Sequence, residues 1–212
     1  MRVSEDRYTR DLRRIQLAHR LIRHEVRTYW ICAFTQQTTD RVRNLLTSYG
    51  DVLKGLQRHR GSPPHSYSKL LTPALHSEAS ALAGIVLVWR LIPEEPVVNA
   101  RERLPCVELG EALCKAFELF SHAVPGCAMT MDRLILLTLA LAERQLTLGH
   151  CRECRAAILV DPMDLPREFC LSCQKERPPH RASREAESDP RVIGHDAAEV
   201  LKRWKDAQQS LF

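Results

Sequence analysis

Aromatic residues are scarce in this chain, at 6% of 212 positions, and no apolar run is long enough to cross a membrane. The longest, residues 79–89, is about half the length a spanning helix needs and is closed by Arg90. HExxH, a Gly-rich phosphate loop and GxSxG are all missing, and no histidine is spaced to serve an open metal site. These gaps argue against a membrane protein and against the commonest hydrolase and nucleotide-binding chemistries, so a protein that is not an enzyme is expected. An accessible cysteine of strongly shifted acidity would be needed to reverse that. No internal repeat is visible. The opening Met1-Arg-Val-Ser-Glu-Asp6 is charged and lacks the apolar core of a signal peptide, so a cytoplasmic protein in a reducing compartment is expected.

What is present can build a core. Hydrophobic residues make up 44% of the chain, enough for one domain plus a small metal module. The net charge of +5 is unevenly placed. Residues 1–60 hold thirteen Lys/Arg against six Asp/Glu, residues 61–150 seven against nine, and residues 151–212 eleven of each. The excess in the first third is the footprint of a phosphate-contacting region, or else a solvated Arg-rich helix face.

Four cysteines near the C-terminus carry the most information: Cys151-Arg-Glu-Cys154, then Cys170-Leu-Ser-Cys173 fifteen residues later. Each CxxC is a short turn offering two thiolates, and the intervening loop folds back to close a tetrahedron. Four thiolates suit Zn²⁺, one ion per chain, with no open position for water; such a closed site braces a fold and performs no catalysis. Redox dithiols, disulfides and an iron–sulfur cluster are the other readings of the same residues. Arg155 follows Cys154 where zinc turns often place Gly. Cys32, Cys106, Cys114 and Cys127 lie among apolar neighbours without ligand spacing and read as buried, inert thiols.

The periodicity predicts an all-α, mostly helical domain with the Cys₄ module at its C-terminal side. Residues 6–34 read as one long helix, with Leu12, Ile15, Ala18, Leu21, Val26 and Tyr29 on one stripe and arginines on the rest. The polar break Thr35-Gln-Gln-Thr-Thr-Asp40 follows, with Thr39 as the natural N-cap, and then a short helix over residues 41–49. Helix, polar turn, and a second helix showing Arg41, Arg43 and Asn44 is helix-turn-helix grammar, though any αα-hairpin looks similar. A third short helix is predicted over 51–59, stopped at Arg60-Gly-Ser-Pro-Pro64. Further helices are predicted at 77–92, 107–122 and 129–148, the last running into the first CxxC. His65 and His76 read as exposed linker residues. Residues 174–191 look like a flexible tail and 197–212 like a short terminal helix. The domain reading is thus 1–60 basic helical region, 61–149 helical core, 150–174 metal module and 175–212 tail.

Together these features resemble one family: the C subunit of the bacterial flagellar master transcriptional activator (FlhC). The opening helix with Arg14-Ile-Gln-Leu-Ala18 and Leu21-Ile22, the polar turn with its short Arg- and Leu-bearing helix, Arg60-Gly-Ser-Pro-Pro64, and the spaced Cys₄ site occur in the family's order. The resemblance spans roughly residues 10–180. Extra residues between the turn and Arg60, and residues 67–74 in place of an aromatic-rich stretch, mark a divergent member. The resemblance implies a mostly helical fold with a Cys₄ zinc site and assembly with a smaller FlhD-type partner subunit into a hetero-oligomer. It further implies binding to promoter DNA and recruitment of RNA polymerase at flagellar (class II) genes. Cys151, Cys154, Cys170 and Cys173 inherit the metal role.

From the residues themselves, Arg41, Arg43 and Asn44 are the candidates for base edges, since Arg pairs bidentately with guanine and Asn with adenine. Arg58 and Arg60 are candidates for the backbone. The rival reading is a zinc-stabilised protein–protein adaptor that binds no DNA and uses the apolar stripe and the terminal segment as docking surfaces.

Overall fold

A computed structural model describes residues 5–48, 66–164 and 167–176. The segments 51–59 and 60–64, His65, and residues 177–212 with the expected terminal helix lie outside the described residues; residues 174–176, expected as the start of a flexible tail, close a short helix instead. The chain divides into two units, Met1–Cys173 and Gln174–Phe212. Its elements are α1 (Glu5–Arg23), α2 (Thr28–Thr35), α3 (Thr39–Ser48), a 3₁₀ turn at Ser68–Leu71, α4 (His76–Val88), α5 (Ala100–Arg103), α6 (Val107–Ala123), α7 (Met131–Ala142), β1 (Thr147–His150), β2 (Ala157–Val160) and α8 (Leu171–Glu176). The fold is mostly helical, as the periodicity predicts, with one antiparallel hairpin whose register pairs Thr147 with Val160 and His150 with Ala157.

The run Leu134-Ile-Leu-Leu-Thr-Leu-Ala-Leu-Ala142 is apolar on every side, so it forms a buried helix. Thr130 caps α7, accepting from the Arg133 N–H at 3.4 Å. α4, α5 and α6 pack around α7. α1 and α2 lie against α6, and Leu17, Leu21, Trp30, Ile31 and Phe34 complete the core. Gly110 on α6 permits this approach: a Cβ there would sit 2.8 Å from Leu17 Cδ2 and 3.2 Å from Phe34 Cδ1.

The single long helix expected over 6–34 is two helices. α1 ends at Arg23, and Glu25 adopts a left-handed conformation at φ 57°. Val26 N–H bonds to Leu21 O at 3.1 Å and Glu25 N–H to Ile22 O at 2.9 Å, which is a Schellman closure. That position usually carries Gly. With Glu it costs roughly 1 kcal/mol, offset by burying Val26 at the turn. The lack of Gly or Pro therefore hid the break. Likewise the helix expected over 129–148 ends at Ala142; Arg144 turns at φ 59°, and residues 147–150 pair as a strand rather than carrying helix into the first CxxC. α3 is capped by Thr38, whose Oγ1 accepts from Arg41 N–H at 3.3 Å, one residue earlier than expected. The helices at 77–92 and 107–122 are present as α4 and α6.

Three arginines of the basic N-terminal region pair with acids of α6 and α7. Arg13 clamps Glu111 with two bonds of 2.7 and 2.6 Å and also reaches Glu108 at 2.9 Å. Arg20 clamps Glu118 at 3.1 and 2.6 Å, with His24 Nε2 3.0 Å from the same carboxylate. At the α1–α2 junction Arg27 donates to the buried Asp132 on α7 through its guanidinium at 2.6 Å and its backbone N–H at 3.3 Å. These pairs join residues about a hundred positions apart, and bidentate geometry makes them stronger than single surface contacts.

His76 corrects another expectation. It is buried, and its Nε2–H donates to Leu159 O at 2.8 Å, while Ser80 Oγ accepts from Leu159 N–H at 2.9 Å. Two side chains one turn apart on α4 thus satisfy both polar groups of one residue in β2, a job a third strand would otherwise do. Burial lowers the His76 pKa below its ordinary 6.5. A histidine that is harder to protonate when folded contributes stability above pH 6.5 that is lost as pH falls. The clamped Glu111 and Glu118 are held below 4.5, first by their arginine hydrogen bonds, so their contribution disappears only in stronger acid. Urea denaturation across pH should show a first loss below about pH 6.5. His76→Ala should cost about 2 kcal/mol at pH 7.5 and remove this residue's share of that first loss.

Candidate metal centre

Cys151 follows β1 directly, and its N–H bonds to Ala156 O at 2.8 Å, prolonging the hairpin ladder by one bond. The chain then turns tightly: Arg155 N–H returns to Cys151 O at 3.0 Å, with Arg155 left-handed at φ 61°. This is the position where Gly is usual and Arg stands. The second CxxC opens α8, where Cys173 N–H points at Cys170 Sγ, 3.5 Å away. A backbone bond from Arg152 N–H to Glu168 O at 2.9 Å and an ion pair between the same side chains at 2.9 Å bring the two turns together.

The four sulfurs of Cys151, Cys154, Cys170 and Cys173 all lie within 4.8 Å of one another, and Cys154 and Cys170 are 3.6 Å apart. A tetrahedral ion with metal–sulfur bonds near 2.3 Å has sulfur–sulfur edges of about 3.8 Å. The donor set therefore fits a single thiolate-bound metal ion. Disulfides are not its chemistry: all eight cysteines are free. His150, at the exposed end of β1, is not part of the cluster.

The electrostatics point the same way. The Cys151 thiol is drawn down to about 6 by backbone N–H groups, that of Cys170 foremost, which approaches its sulfur at 3.4 Å. Cys173 is pushed up chiefly by sharing hydrogen bonds with Cys170 and Cys154, and Cys154 is also raised. Crowded sulfurs without a cation hold protons between them; a divalent cation takes the place of those protons.

The remaining cysteines are structural. Cys114 is buried and pushed up to about 12 by that burial. Cys106 caps α6, accepting from Leu109 N–H at 3.4 Å, and it, Cys32 and Cys127 are half-buried rather than fully enclosed.

The residues singled out for DNA are elsewhere in the fold. Arg41, Arg43 and Asn44 are all exposed on α3, around the fully buried Val42 that anchors the helix. Arg43 makes an exposed bond to Asp40 at 3.2 Å. Arg58 and Arg60 lie outside the described residues. Residue types alone did not single out His76, Ser80 or Glu168 as supports of the metal module, because their roles rest on backbone groups far away in sequence.

Fold and site define a class: a mostly helical protein with a four-cysteine cluster, able to hold a metal ion, built from a small hairpin and the start of α8. Compared with known proteins, the chain matches no protein-family model and no curated protein.

Two outcomes check the centre. Cys154 and Cys173 must each lose a proton to act as ligands, so binding should release at least two protons per ion at pH 7.5 and weaken as pH falls; calorimetry in buffers of different ionisation enthalpy measures this. Arg155→Gly should raise the stability of the metal-loaded protein by about 1 kcal/mol in thermal denaturation, because it relieves a left-handed non-glycine residue.

Proposed function

We propose that this chain is a zinc-braced, DNA-binding transcription regulator of the flagellar activator C-subunit type. In this reading it works in the cytoplasm in a hetero-oligomer with an FlhD-type partner subunit, binds promoter DNA and recruits RNA polymerase. The observation that carries it is the α2–turn–α3 unit. Val42 is locked into the core while Arg41, Arg43 and Asn44, the residue types that read guanine and adenine edges, stand together in solvent. Zinc is the preferred ion because a closed set of four thiolates suits it and leaves no position for catalysis. The ion would brace the hairpin beside α4 and take no part in chemistry.

A second reading, a zinc-stabilised adaptor, draws on two other observations. Arg13, Arg20 and Arg27 are committed to acids within the fold, which leaves less positive charge outward than the sequence count suggests. Tyr8 and Leu12, one turn apart on α1, are 65% and 41% exposed and offer an apolar contact.

Fluorescence anisotropy with a flagellar-type promoter duplex, over a salt series and with and without the partner subunit, separates the two. The regulator reading expects sequence-preferring binding that falls steeply with salt. Arg41→Ala or Arg43→Ala should weaken the preferred duplex by about 1–3 kcal/mol and random duplex much less. Wild-type binding no better than to random duplex, with the partner present, supports the adaptor instead. Metal analysis giving one zinc per chain, lost in Cys151→Ser, checks the cofactor.

A further inference from the structure

A cavity of roughly 200 Å³ opens between the α1–α2 junction, the 3₁₀ turn and the start of α7, lined among others by Arg27, Ser66, Lys69, Thr130, Asp132 and Arg133. Its charges do not balance. Asp132 is the only acid in the lining and is already matched by Arg27 at 2.6 Å. Among the described residues Lys69 has no partner for its ammonium and Arg133 has no carboxylate. Arg133 makes one bond, to Ala128 O at 2.6 Å, which orients the guanidinium. The Nε of Arg27 is buried without an acceptor among the described residues. Two cations in excess, two hydroxyls and an unsatisfied N–H line one solvent-open cavity.

Those groups suit a tetrahedral oxyanion. Arg133 and Lys69 would carry the charge, Thr130 and Ser66 would donate from their hydroxyls, and the space exceeds the roughly 30 Å³ share of one water several times over. Competing uses are weaker. A cation is disfavoured by three basic side chains, and an apolar ligand by the charged lining.

We propose that this cavity is a phosphate-binding site, and that the phosphate belongs to the DNA backbone. The site stands on the cavity; its assignment to DNA rests on the regulator reading. α2 begins at Thr28, immediately after Arg27, and in helix-turn-helix docking the first helix crosses the phosphate backbone while the second enters the groove. A phosphate held here would set the register of α3 without reading sequence.

The test uses the full-length, metal-loaded protein, with its partner subunit where DNA is the probe. Inorganic phosphate is titrated by calorimetry against chloride of matched ionic strength, and duplex DNA by anisotropy over a salt series. Lys69→Gln and Arg133→Gln are compared with wild type. Lys69 is exposed, so its variant folds even if Arg133→Gln does not. Saturable phosphate binding weakened about tenfold in Lys69→Gln supports the site. A loss of about 1 in the slope of log K against log salt for duplex binding by that variant also supports it, and identifies the phosphate as the DNA's. Phosphate binding that needs Lys69, with duplex binding absent or indifferent to it, keeps the site and assigns it to a free phosphate group, whatever becomes of the regulator reading. Phosphate without saturable effect, or indifferent to Lys69, together with unchanged duplex binding in the variants, overturns the proposal.

Discussion

A helix with eleven of its twelve residues buried constrains everything packed around it, and α7 is such a helix. Apolar on all sides, it cannot sit at a surface, so α4, α5 and α6 must enclose it. Each fully buried Leu or Ile side chain contributes about 2 kcal/mol against water, which makes the enclosure the main source of cohesion. The one buried charge on this helix, Asp132, demands a cation, and Arg27 answers from the α1–α2 junction. Removing either partner would strand a buried charge, a larger penalty than the pair's own attraction. Thus a helix near the end of the core positions the break between the first two helices of the chain.

The four-cysteine module depends on that core. Two four-residue strands make a hairpin too small to be stable alone. His76 and Ser80 supply the hydrogen bonds that the outer edge of β2 lacks, and Leu159 buries its side chain against the same helix. The thiolates close the other end, where backbone N–H groups already draw the Cys151 thiol down to about 6. The site is thereby half-organised by protein hydrogen bonds, and a metal ion would complete it by relieving the crowding of the remaining sulfurs.

Positive charge in the first third of the chain serves two ends. Arg13, Arg20 and Arg27 hold α1 and α2 against the acids of α6 and α7. Arg41 and Arg43 face solvent on α3, and Lys69 and Arg133 at the cavity come from later in the chain. A surface for polyanions, if drawn from sequence alone, would have been placed along α1. In the structure three of the N-terminal arginines are paired with acids, and exposed basic side chains stand on α3 and around the cavity.

The sequence by itself picked out the four cysteines that the fold brings together, because two CxxC turns carry their chemistry in local spacing, and it determined α3, α4, α6 and most of α7, because an uninterrupted apolar period can be satisfied only by helix. Only the tertiary structure decided where α1 stops, since Glu25 in the left-handed region carries no Gly signal and is held by the burial of Val26. It also decided that the chain leaves α7 at Ala142 for a strand, and that His76 is an interior donor rather than a linker residue. Which arginines are paired within the fold was likewise settled by acids about a hundred residues away. Turn geometry without glycine and ion pairs across helices depend on what the rest of the fold presents, and nothing in the local sequence encodes that.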